Sequence, residues 1–112
     1  MRIYKILPRL DWLAARKVGV YEGSPLDRAD GFIHFSTGAQ AQETADRHFR
    51  GQHDLVVLAV EADDLGDKLV WEPSRGGAAF PHLYGSLDLQ AVRAVTEAPL
   101  GPDHVPLLGP LA

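Results

Sequence analysis

Two short stretches hold an excess of chemically capable side chains. Residues 71–85 read "WEPSRGGAAFPHLYG" and set Glu72, Arg75, His82 and Tyr84 around the pair Gly76 and Gly77 and two prolines. Residues 31–37 read "GFIHFST" and hold His34, Ser36 and Thr37. Histidine can take and return a proton near neutral pH. A carboxylate at a strand end can orient an arginine, accept from a hydroxyl or act as a base. Backbone at a glycine pair can come close to an anion and offer it amides. Trp71, Phe80 and Tyr84 would then be the apolar lining that small-molecule sites usually have. Each part also has a plainer alternative. Glu72 could face solvent, Arg75-Gly76-Gly77 could be an exposed turn, and His34 could be a hydrogen-bonded core residue. Thr37 is better explained as a helix cap than as a catalytic group.

These residues need elements to hold them. "RIYKIL" (2–7) is β-branched and aromatic and reads as a strand. Leu10, Leu13, Ala14 and Val18 then fall at helical spacing before Gly19, predicting an amphipathic helix of about three turns. Residues 21–31 are turn-rich, and 32–37 form a short strand by composition. On an alternating strand His34 shares a face with Phe32 and Ser36, while Ile33, Phe35 and Thr37 point the other way. "TGAQ" (37–40) matches a capping box for a helix to about Phe49, with Ala41 and Ala45 toward the core. The apolar run at 55–60 predicts a central strand covered on both faces. A strand over 67–72 ends at Pro73, and β-branched residues favour another strand around 91–98 over a helix. The prolines after residue 101 predict an irregular tail over 102–112. The whole chain, 1–112, reads as one α+β domain.

Bulk properties narrow the function classes. Eleven Lys and Arg against fifteen Asp and Glu give a formal charge of −4, without basic blocks, which disfavours broad nucleic-acid binding. There is no cysteine, so disulfides and thiolate metal sites are excluded, and a cytoplasmic location is expected. His34, His48, His53, His82 and His104 form no H-x-x-x-H pair, so no metal site is expected. No G-x-S-x-G elbow, P-loop or G-x-G-x-x-G is present. The longest apolar run is too short to cross a bilayer, and no membrane association is expected.

"IYKIL", "GSPLDRADGFIHFST" and "LVVLAVEADDLGDKLVWEPSRGGAAFPHLYG", in that order, resemble the bacterial family catalogued as domain of unknown function 952. That family in turn resembles the ADP-ribosyltransferase superfamily, which implies a compact split fold of two small sheets, here with two main helices, that clamps NAD without a Rossmann motif. The resemblance places His34 against the nicotinamide-side ribose, Ser36 and Thr37 nearby, and Tyr84 as a ring partner. The superfamily's late-strand glutamate has Glu72 and Glu97 as candidates. Its RNA 2′-phosphotransferases use histidine and arginines instead, a set that Arg28, His34 and Arg75 could form. The candidate catalytic residues are therefore His34, Glu72, Arg75 and His82, and the candidate ligand contacts are Arg28, Ser36, Thr37, Gly76, Gly77 and Tyr84. The expected ligand is NAD or another phosphate-bearing small molecule, with ADP-ribosyl- or phosphotransferase-type activity. The alternatives are a non-catalytic binding or regulatory module and a protein-interaction domain.

Overall fold

The computed structural model describes residues 1–111, and of Arg75 the backbone; Ala112 of the expected tail lies outside the described residues. Strands β1 (Arg2–Pro8) and β5 (Leu55–Glu61) pair antiparallel along their full length, Arg2 opposite Glu61 and Pro8 opposite Leu55. With β9 (Val92–Ala98) on the far side of β5 and the two-residue β4 (Ser36–Thr37) on β1, they make a four-stranded sheet ordered β4-β1-β5-β9. The apolar run of β5 is buried at every position from Leu55 to Val60, as a strand covered on both faces requires. Ile3, Leu7, Val56, Leu58 and Val60 feed one core; Tyr4, Ile6, Leu55, Val57 and Ala59 feed the other.

Helix α1 (Arg9–Val18) covers the first core and stops at Gly19, whose φ of 98° is a left-handed cap. Its phase departs from the sequence pattern. Ala15 is buried and Trp12 packs beside it, whereas Leu10, Leu13 and Val18 are exposed. The helix begins directly where β1 ends, without a loop, and the Arg9 amide donates to the Asp54 carbonyl at 2.8 Å. The strand's exit therefore sets which side of the helix meets the sheet, and small Ala15 permits the close approach.

The stretch 21–31, expected as turns, contains a short strand end and a helix. β2 (Val20–Tyr21) pairs with β8 (Leu87–Asp88), and α2 (Pro25–Asp30) is opened by a Ser24–Asp27 capping box with Pro25 in its first turn. The expected strand 32–37 is divided. β3 (Ile33–His34) pairs with β7 (Ala79–Leu83), while β4 pairs with β1, so the chain changes sheets at Phe35. The Phe35 amide donates to the Pro81 carbonyl at 3.0 Å on the way. β6 (Leu69–Pro73) completes a second sheet, ordered β3-β7-β6.

Helix α3 (Gly38–His48) starts from the Thr37–Gln40 capping box and buries Ala41 and Ala45 against the second core. The tail is irregular apart from a bridge between Leu100 and Pro106, and Leu108 is buried in the same core. The result is a mixed α+β architecture with three sheets where two were expected; the pair β2-β8 is the addition. No helix among the described residues is long and apolar enough to cross a membrane.

Candidate functional site

The β3-β7-β6 sheet decides what comes together. Ile33 lies opposite Leu83 and His34 opposite His82; across the next ladder Val70 faces His82 and Glu72 faces Phe80. Directly opposed residues share a face, and successive residues alternate. Ile33 and Leu83 therefore point into the first core, where both are buried. His34, His82, Val70, Glu72 and Phe80 project from the other side, joined by Phe32 and Tyr84 two residues further along. The ring centroids of His34 and His82 are 5.4 Å apart. Phe32 stacks on His82 at 4.1 Å and stands 5.2 Å from Tyr84. The two imidazoles, distant in sequence, thus form one cluster.

Each histidine is held by a carboxylate. His82 is buried, and its Nδ1 lies 2.7 Å from Glu72 Oε1, which also accepts from the Tyr84 hydroxyl at 2.8 Å. Hydrogen bonds from His82 and then Tyr84 hold the Glu72 carboxyl below its ordinary pKa; the same carboxylate pushes the Tyr84 phenol up. An ionised carboxylate only accepts, so the proton sits on His82 Nδ1 and leaves Nε2 as the acceptor of the neutral ring.

His34 is oriented from α2. Its Nδ1 is 2.6 Å from Asp27 Oδ1 and its Nε2 is 3.0 Å from Asp30 Oδ2. Only the doubly protonated ring can donate to both. Asp27 is 2% exposed and accepts in addition from the Ser24 and His34 amides and, at 2.7 Å, from the buried Lys5 ammonium. Burial alone would raise the Asp27 pKa, but the bonds from His34 and Lys5 outweigh it and hold the carboxyl well below the carboxylate range. Burial pulls Lys5 the other way, below the ordinary lysine value, against the attraction of Asp27. Gly23 makes room for this arrangement: a Cβ there would meet the Asp27 Cβ at 2.8 Å, and its φ is +102°.

The remaining sequence candidates fall into distinct places. Ser36 is buried, 2.9 Å from the Thr44 hydroxyl, and lines with Lys5, Asp27 and His34 a cavity of about 110 Å³. Thr37 is the α3 cap, its hydroxyl accepting from the Gln40 amide at 3.2 Å. Arg28 donates to the Gly23 carbonyl and lines a neighbouring cleft. Gly76 and Gly77 are exposed at the tip of the β6-β7 hairpin, roughly 10 Å or more along the strand from His82. The Arg75 side chain lies outside the described residues. Glu97 is on β9, bonded to Arg9 at 2.6 Å. Phe80 is buried as a wall residue should be, whereas Trp71 is 42% exposed. No group of three metal-ligating side chains is found among the described residues.

The model of a family described as a protein of unknown function (DUF952) matches residues 6–95. The chain belongs to that family. This DUF952 chain is similar to protein CC0527 of Caulobacter crescentus, whose crystal structure is 57% identical, covers 97% of this chain and 96% of its own, and superposes with a TM-score of 0.95. The solution NMR structure of CC0527 is 57% identical, covers 96% and 93% respectively, and gives a TM-score of 0.87. No curated protein matches the DUF952 chain.

Sequence reasoning passed over Asp27, Asp30 and Lys5. Two signals were available: "SPLD" is a capping box, and Lys5 interrupts an apolar strand, where a buried ammonium demands a buried partner.

Proposed function

We propose that this DUF952 domain binds a nucleotide or another phosphate-bearing small molecule between His34 and His82, with phosphotransferase-type acid–base chemistry. The observation that carries this is the pairing of two carboxylate-held imidazoles across one ladder, with centroids 5.4 Å apart. At that spacing both rings can meet the oxygens of one phosphate group once the Phe32 ring stacked on the buried His82 swings aside. The His82 Nε2 can take a proton from an attacking hydroxyl, and His34, once the ligand displaces Asp30 from its Nε2, can return one to a leaving oxygen. Phe32 and Tyr84 offer aromatic faces beside them on which a base can stack. Asp27, Asp30 and Glu72 make the surroundings acidic, so the anion is held against them by the doubly protonated His34 ring.

NAD glycosyl transfer, the other chemistry implied by an ADP-ribosyltransferase-like fold, has less support. It needs a glutamate facing the ribose; Glu72 is engaged by His82 and Tyr84, and Glu97 is bonded to Arg9 on another sheet. The cavity beside His34, about 110 Å³, is also smaller than the roughly 300–1,000 Å³ of typical ligand sites. These residues fit the phosphate or base end of NAD and not an enclosed dinucleotide.

NMR titration of the histidine ring resonances with inorganic phosphate, ADP-ribose and NAD tests the proposal. His34 and His82 shift with phosphate and more strongly with ADP-ribose, and His82→Gln weakens both responses. Unshifted rings at millimolar ligand would overturn it. Binding without phosphate transfer supports a non-catalytic module, in which Asp30 keeps its hold on His34 Nε2.

A further inference from the structure

The apolar side of α1 marked by Leu10, Leu13, Ala14 and Val18 is turned away from the sheet. Leu10 and Val18 are 73% and 76% exposed. Single exposed apolar side chains are ordinary on a protein surface. Here they share one helical face, at spacings of three, four and eight residues. Beside that ridge, between α1 and the segment from Val20 to Arg28, runs a cleft of about 380 Å³ that Asp11, Ala14, Val18 and Tyr21 help to line. Projecting side chains and a receiving cleft on one patch are what a self-complementary surface requires.

We propose that this face is where a second copy of the chain docks, α1 against α1, antiparallel about a two-fold axis near Ala14. The charges on the helix choose the partner and its direction. Asp11 lies in the first turn and Arg16 and Lys17 in the last. None of the three is in an ion pair among the described residues. Antiparallel pairing centred on Ala14 sets Asp11 opposite Lys17 of the second copy and Leu10 opposite its Val18. Parallel pairing would set lysine against lysine. Antiparallel helices also oppose their dipoles, and alanine at the crossing point allows close approach.

Size fixes the strength. A ten-residue helix spans only about 15 Å, so this contact falls short of the roughly 1,200 Å² buried in stable complexes. The dimer is therefore weak and concentration-dependent.

Sedimentation equilibrium from micromolar to millimolar protein tests this. The average mass rises from 12.2 kDa toward twice that value, and Ala14→Arg, at an exposed position, keeps its far-UV circular dichroism but stays monomeric. Asp11→Lys and Lys17→Asp each self-associate about tenfold more weakly, because like charges then face each other. An equimolar mixture of those two variants recovers assembly, since each supplies the charge that the other lacks. A monomer throughout the range, unimpaired assembly of Ala14→Arg, or a mixture that fails to recover would overturn the proposal.

Discussion

Asp27 is bonded to more of the site than either histidine. It meets Lys5, His34 and the Ser24 amide from a position sealed off from solvent. Asp27→Asn removes the charge opposite a buried ammonium, and a broken buried pair costs about 3–5 kcal/mol; urea unfolding at neutral pH should read a loss of that order. The same carboxylate sets an acid limit. Its folded pKa lies below the ordinary 3.8, so the unfolded chain binds the proton more readily. Its contribution is complete above the unfolded value and is lost as pH falls through the folded one. Between about pH 5 and pH 2 the wild type should lose stability more steeply than Asp27→Asn. His34, His82 and Tyr84, which the structure brings together, stand out in the sequence because histidine and tyrosine are unusual choices beside glycine and proline. Asp27 does not, since locally it is one of several acidic residues in a turn-rich run, and its weight comes from a lysine twenty-two positions earlier.

At the scale of elements, local chemistry was the readable part. The Thr37–Gln40 box, the β5 run and Gly19 each follow from short-range rules, and each is where the sequence puts it. What local rules omit is the direction in which an element leaves its predecessor. Apolar spacing gave α1 the wrong inner face because β1 delivers it in a fixed phase, and alternation along 32–37 hid the change of sheet at Phe35. The cap also separates two roles for Thr37. Thr37→Ala should lower stability by about 1 kcal/mol in urea unfolding while leaving the phosphate-induced histidine shifts intact. Loss of those shifts with unchanged stability would return Thr37 to the ligand.

For the whole molecule, the alternation of β1 and β5 ties the two cores together. Ile3 and Leu7 belong to one and Tyr4 and Ile6 to the other, so neither side can melt without disturbing the strands that hold its counterpart. Unfolding should be a single transition, with tryptophan fluorescence, to which Trp12 on the first core contributes, coinciding with far-UV circular dichroism. Separate midpoints would show that the α3 side has its own stability.

The change of sheet at Phe35 gives this unity a mechanical side. His34 is stitched to the small sheet, and Thr37, three residues on, begins α3 from the central one. The stretch between them is a taut tether with no slack to pay out. A ligand that displaces His34 must tilt the small sheet as a plate or tug on the helix start, so the site should answer its ligand as a rigid jaw and not as a closing flap.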